Sequence, residues 1–457
     1  MKTTIHHSKN AELFLKDKEK AEVFDKSIWY LREKRDYKAK SISEWEELRE
    51  VASQIKKHTL SKLPEYLLQF EENAKKLSIK IHWADTAARH NEIVYKILKE
   101  KDAHLIVKSK SMLTEECGMN KFLEEKGLEI VDTDLGERII QLNNERPSHI
   151  VMPAVHKTKE EIGELFYEKL KTGIKSSDPA YLTGEARKHL RQKFLGADAA
   201  LSGVNFAIAS TGEIVVCTNE GNADMGINAT NLHIASMGIE KIVPDTESLG
   251  VFTRLLARSA TGQAITTYTS HYGKPREGAE LHVIIVDNGR SKILSDEQFW
   301  TSLKCIRCGA CMNTCPVFRR SGGHAYMFTT PGPIGSVLAP NYDALKYKEL
   351  PFASTLCGSC SDVCPVKIEI HELLYKWRQE LTKRGEQSFP KGLIMKLMGT
   401  WLSSFFLYKN GSMLIKIMLK LFRGIITRNP LNSWGKSREL PDIPAESFKK
   451  WYLKNKQ

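Results

Sequence analysis

The stretch that most limits what this chain can become is Cys305-Ile306-Arg307-Cys308-Gly309-Ala310-Cys311-Met312-Asn313-Thr314-Cys315, with Pro316 immediately after it. Three cysteines at gaps of two, a fourth after a gap of three, and then proline is the spacing that wraps a [4Fe–4S] cube. One tight loop brings three thiolates to three corners, and Gly309 can take a backbone angle that a larger residue resists. The fourth cysteine heads a new segment, and its proline turns the thiolate toward a neighbouring cube. A second array follows: Cys357-Gly358-Ser359-Cys360-Ser361-Asp362-Val363-Cys364-Pro365. Interleaving the two predicts one cluster on Cys305, Cys308, Cys311 and Cys364, and another on Cys315, Cys357 and Cys360.

The corner that would complete the second cluster falls on Ser354. A serine alkoxide is a harder and poorer iron ligand than a thiolate. The second cluster is therefore expected to be labile, to take a non-cysteine fourth ligand, or to hold three irons. His324, between the arrays, is either a candidate for that ligand or a plain loop histidine. Structural zinc would pair C-x-x-C units into one tetrahedron, which two Cys-Pro-terminated arrays fit poorly. Cys117 and Cys217 stand alone and read as buried free thiols. This usage points to a reducing cytoplasm, and the start of the chain offers no apolar signal region.

The chain has 457 residues and a formal charge of +13. Such an excess favours acidic faces, anionic lipid or small carboxylates as partners. No zinc finger, RNA-binding strand or basic arm supports nucleic acid. Four regions are expected: an N-terminal helical region at 1–75, an α/β domain at 76–290, a mainly helical cluster domain at 291–385 and a helical C-terminal segment at 386–457.

In the first region, Phe24, Ile28 and Leu31, then Trp45, Leu48, Val51, Ala52 and Ile55, recur at helical spacing. Pro64 opens a further helix, and the whole reads as a cap on the next domain. From 79 the period changes. Strands fit 79–84, 103–107, 128–132, 149–152, 206–210, 213–217, 239–243 and 281–287. Helices fit from Asp85 (its carboxylate as N-cap), 113–126, 159–170, 180–194 and 246–260. That alternation argues for a mostly parallel sheet with a hairpin around Thr211-Gly212 inside it.

The loops Lys108–Ser111, Asp132–Arg138 and Thr218–Asn222 follow predicted strands, where ligands sit in open α/β sheets. As a set they suggest a cleft for a small anion or acyl group. No glycine fingerprint for a dinucleotide and no P-loop is present. Between the arrays, Gly322-Gly323-His324 and Pro331–Gly335 mark loops expected to fold over the cubes, and 366–382 reads as a helix.

Beyond Pro390, Leu393–Leu407 and Met413–Ile426 are apolar, the second carrying a basic stripe at Lys416, Lys420 and Arg423. The longest charge-free run, Leu397–Tyr408, falls short of the roughly 20 residues a membrane span needs. These helices are expected to pack on protein, with a peripheral contact on the inner face of the membrane as the alternative.

The chain resembles the LutB family of lactate-utilisation iron–sulphur proteins. The matching stretches include VKSKSM at 107–112, TDLGERIIQL at 133–142, PSHIVMPAVH at 147–156, TNEGN at 218–222 and DNGRS at 287–291. CIRCGACMNTCPVF at 305–318, LCGSCSDVCPVKI at 356–368 and LPDIPAESFKKW at 440–451 extend the match. The resemblance implies a LUD domain of the sugar-isomerase/CoA-transferase-like α/β type, then a helical ferredoxin with two [4Fe–4S] sites. It also implies two companion proteins and a role in oxidising L-lactate to pyruvate, an electron-transfer subunit of an oxidoreductase. The family pattern shares the missing cysteine at Ser354. Two other functions are open to a chain with these features: a LUD-domain enzyme on an acyl or phosphorylated substrate, with Glu220 the first residue to suspect, or an iron or oxygen sensor.

Ser354→Cys is expected to harden the second cluster, slowing its loss to oxygen and chelators in an absorbance time course. Unchanged loss rates would count against the ligand assignment.

Overall fold

The computed structural model describes residues 4–386, 389–427 and 442–456. Met1–Arg384 form one compact unit and Gly385–Gln457 a second. In the first unit, helices His7–Phe14, Lys18–Lys40, Trp45–Ser61 and Leu63–Lys76 precede the sheets. The Asp17 side chain starts the longest of them by accepting from Lys20 N, which satisfies one of the free N–H groups of the first turn. Phe24, Ile28 and Leu31 are buried as the spacing predicts, whereas Val51 is exposed.

The strands follow as β1 (Lys80–Ala84), β2 (Leu105–Lys108), β3 (Glu129–Asp132), β4 (Ala199–Gly203), β5 (Phe206–Ile208), β6 (Ile214–Thr218), β7 (Leu232–Gly238), β8 (Ile242–Val243), β9 (Tyr268–Tyr272) and β10 (Glu280–Val286). The main sheet has the order β1-β10-β7-β4-β2-β3, and every pairing in it is parallel. Such a sheet must be covered on both faces, and β10 displays this directly. Val283 and Ile285 join one core with Phe70 and Met237, while Ile284 and Val286 join another with Val94 and Ile106. Each such side chain contributes about 1.5–3 kcal/mol on burial.

Several expectations are corrected. The hairpin at Thr211-Gly212 is real but lies in a second sheet, β8-β5-β6-β9, in which β6 is antiparallel to both neighbours. Thr86, not Asp85, caps helix Ala87–Glu100 by accepting from Arg89 N. The helix expected over 113–126 breaks at Gly118 into Met112–Glu116 and Met119–Glu124. Most of the strand expected at 239–243 is a 3-10 turn, Ile239–Lys241, leaving the two residues of β8.

Residues 149–152 form no strand. The N–H groups of Val151 and Met152 bond to His149 Nδ1 instead, a side chain displacing a ladder partner. Pro331–Gly335 starts a helix, Gly332–Tyr342, rather than a loop. Strands β4, β7 and β9 and helices Leu135–Leu142 and Asn222–Ala229 went unpredicted. β4 reads Ala-Ala-Leu-Ser-Gly, a composition with little strand preference.

One core runs without a break from the N-terminal helices to the cysteine region, taking in Phe24, Trp45, Phe252, Phe318, Leu338 and Trp377. In the second unit, helices Phe389–Ser403 and Phe405–Thr427 carry exposed Phe405, Leu414 and Leu421. Lys420 of the expected basic stripe is exposed and Lys416 half-buried, while the Arg423 side chain lies outside the described residues. No described helix is long and apolar enough to cross a membrane.

A Cβ at Gly323 would collide with the Ser148 carbonyl oxygen. Gly323→Ala is expected to cost about 1–3 kcal/mol, read as a lower urea midpoint.

Candidate metal centre and adjoining cavity

Both cysteine arrays share one backbone plan. Arg307 and Gly309 flank Cys308 with φ of 61° and 80°, and Leu356 and Gly358 flank Cys357 with 55° and 81°. These left-handed residues turn the chain sharply enough for consecutive thiols to face one space. Short helices follow, Ala310–Thr314 in the first array and Ser359–Asp362 in the second. None of the cysteines is in a disulfide.

Cys305, Cys308, Cys311 and Cys364 line one small apolar cavity with Ile150 and Ile334. Burial raises the pKa of Cys308, and the neighbouring thiols Cys364 and Cys305 raise it further. Cys311 is pushed well up by burial and then by Cys305, Cys308 and Cys360. Cys315, Cys357 and Cys360 form the other neighbourhood. Cys360 rises to about 12 through burial and then through Cys315 and Cys357. Cys308, Cys311 and Cys364 of the first set and Cys315 and Cys360 of the second lie in one buried core.

Backbone N–H groups are aimed at the sulphurs: Arg307 N at Cys305 (3.4 Å), Phe318 N at Cys315 (3.5 Å) and Ile368 N at Cys364 (3.4 Å). Buried, mutually repelling thiols with N–H donors suit the soft, cationic core of an iron–sulphur cluster. The second set differs. Cys357 is exposed, and Ser354 Oγ accepts from Leu356 N at 3.1 Å. His324 is engaged elsewhere, with its Nε2 on the Arg146 carbonyl and its ring edge-on to His156.

Sequence reasoning missed the cations that hold this region. Arg49 donates to the carbonyls of Cys364 (3.0 Å) and Asp362 (2.6 Å), and Arg35 to that of Val363 (3.1 Å). Arg32 reaches Thr314 and Ser359. The N-terminal helices thus serve the cysteine region as well as capping the sheets. A signal was present, since Arg35 continues the apolar stripe Phe24, Ile28, Leu31 on the same helical face.

A second, larger cavity of ≈ 350 Å³ opens at the C-terminal edge of the parallel sheet. Lys110, Asp134 and Glu220 bring the three expected loops to it, and Cys308 and Ile150 form the partition shared with the thiol cavity. The loop cations are already matched. Lys108 is fully buried between Asp132 (2.8 Å) and Glu115 (2.9 Å), and Lys110 bonds Asp134 and the Val151 carbonyl. Burial and then the charge of Asp134 raise the pKa of Glu220, whose Oε2 accepts from Leu135 N. Cys217, expected to be buried, is partly buried and lines this cavity.

The model of the LUD domain matches residues 67–293, and that of the 4Fe-4S dicluster domain matches residues 301–368. Lactate utilization protein B of Bacillus cytotoxicus is 46% identical over 433 residues, covering 92% of this chain and 90% of that protein. The chain belongs to the lactate utilization protein B family. The Shouchella clausii member is 44% identical, covering 90% of this chain and 89% of its own. A crystal structure of a DUF162 family protein from Deinococcus radiodurans aligns over 49% of this chain and 98% of that one, at 14% identity and a TM-score of 0.28, too distant to carry an argument. This member of the lactate utilization protein B family is an iron–sulphur protein by its dicluster domain.

His149 ties the two cavities together. Its Nε2 donates to Asn313 Oδ1 at 3.0 Å, inside the first cysteine array, while Nδ1 accepts the two backbone N–H groups. Burial lowers its pKa from 6.5 to about 4, outweighing the Asn313 bond. The folded state therefore stays neutral while the unfolded chain takes a proton. This contribution is complete above pH 6.5 and is lost as pH falls toward 4, about 3 kcal/mol in all. Anaerobic urea titrations between pH 7 and 5 are expected to show that slope flattened in His149→Gln.

Proposed function

We propose that this chain is the electron-transferring iron–sulphur component of a multi-protein assembly that oxidises L-lactate to pyruvate and so lets lactate serve as a carbon source. In this reading Cys305, Cys308, Cys311 and Cys364 hold one [4Fe–4S] cluster. Cys315, Cys357 and Cys360 hold the other, which takes a non-cysteine fourth ligand or has three irons. The observation that carries the reading is the gathering of Cys308, Cys311, Cys315, Cys360 and Cys364, from two distant stretches of the sequence, into one buried core. Family membership supports the lactate system as its setting.

Oxidation of lactate to pyruvate releases two electrons and two protons, and each cluster, when bound, carries one electron at a time. The residues of the chain do the rest. Ile150 and Ile334 keep water from the first thiol set. Arg35 and Arg49 bring positive charge beside it, at the Val363 and Cys364 carbonyls. Exposed Cys357 marks the side of the second set open to a companion protein. The sequence carries no flavin or nicotinamide fingerprint, so the hydride-accepting step belongs to a companion.

The assembly, purified without oxygen and mixed with L-lactate, is expected to lose its visible iron–sulphur absorbance as pyruvate appears. Clusters that stay oxidised during turnover would remove the relay role.

A further inference from the structure

The larger cavity holds polar groups that an electron relay leaves unused. Arg307 Nη1 is buried there with no hydrogen-bond partner among the described residues. Lys241, in the turn after β7, reaches the same cavity and makes no hydrogen bond or close ion pair among the described residues, although the charge of Glu240 acts on it from further away. Thr218 Oγ1, at the end of β6, is a further buried atom without a partner. Buried polar atoms in folded chains are nearly always satisfied, and an orphan calls for a missing partner. The other cations on this cavity are matched: Lys110 by Asp134, and Arg290 by Glu116 and Glu240.

We infer that this cavity binds a monocarboxylate carrying a second oxygen function, the class that includes 2-hydroxy and 2-oxo acids. Its carboxylate sits on Arg307 and Lys241 beside Cys308, and its second oxygen faces Thr218. The inference deepens the proposed relay and rests on the reading of Cys308 as a cluster ligand. A planar guanidinium suits a carboxylate. A phosphate dianion would lack the glycine-rich cradle of backbone N–H groups that such anions use. Ile150, Met152 and Leu256 supply an apolar wall for the carbon skeleton. At ≈ 350 Å³ the space exceeds the needs of a three-carbon acid, so charge does the selecting rather than size.

The test uses the full chain, purified anaerobically with its clusters and kept oxidised. Titration calorimetry with pyruvate is expected to show saturable binding, and inorganic phosphate none. Arg307→Gln and Lys241→Gln should each weaken pyruvate binding about tenfold or more, with iron and sulphide content unchanged. Pyruvate should also shift the paramagnetic resonance spectrum of the dithionite-reduced chain, since the acid lies against Cys308. Should Arg307→Gln impair cluster assembly, Lys241→Gln and Thr218→Val carry the test.

Absence of saturable pyruvate binding, or equal binding of phosphate, would overturn the inference. So would variants that alter the cluster potential but leave pyruvate affinity intact, because those cations would then only balance the charge of the cluster. No electron from lactate moves in this experiment, since affinity is read on the oxidised chain and the spectrum after reduction by dithionite. Its failure therefore leaves lactate-driven reduction untouched, and the converse also holds.

Discussion

The peptide carbonyls of Asp362, Val363 and Cys364 point at two arginines from the opposite end of the chain, and the arrangement of the cysteine region follows from that. The segment around Cys364 has only the four-residue helix Ser359–Asp362 and no strand to fix it. Arg35 and Arg49 fix it instead. A buried guanidinium is costly unless its donors are satisfied, and here the carbonyls together with the Asp36 and Glu46 carboxylates take most of them, Arg35 Nε excepted, through charge-assisted bonds. Arg35 also lies over the Trp45 ring, 5.3 Å from its centroid, so the N-terminal helices and the second array are held as one piece.

The loop 147–156 does a related job between the sheet and the first array. His149 spends one ring nitrogen on its own backbone and the other on Asn313, whose amide in turn donates to the Ala260 carbonyl. A neutral, fully buried imidazole thus links a sheet loop, the cysteine array and the end of helix Thr246–Ala260. Ile150, next along the chain, separates the thiol cavity from the larger one. The C-terminal edge of a parallel sheet is where such folds bind ligands, and this loop sets that edge against the sulphurs.

Charge on the larger cavity is divided unevenly. Arg290 and Lys110 are held by carboxylates, and Glu240 keeps a pKa of about 2 because Arg290 and Lys241 outweigh its burial. Arg307 stands outside these pairs, in a left-handed conformation that the loop between Cys305 and Cys308 requires. One residue therefore belongs to two structures at once: its backbone shapes the thiol loop and its side chain faces the neighbouring space.

The cysteine spacing and the stripe of Phe24, Ile28 and Leu31 are local patterns. Local geometry follows from them because a turn or a helix is decided by residues within a few positions of one another. The alternation of strands and helices, and with it the parallel sheet, could be read in the same way. Strands β4 and β7 could not, since Ala, Ser and Gly become strand residues only when neighbouring strands bury them on both faces. The same holds for Arg35, Arg49, Arg307 and Lys241, which look like surface charge in the sequence. Their roles depend on which distant carbonyl or cavity each one meets, and only the packing of the whole chain brings those groups together.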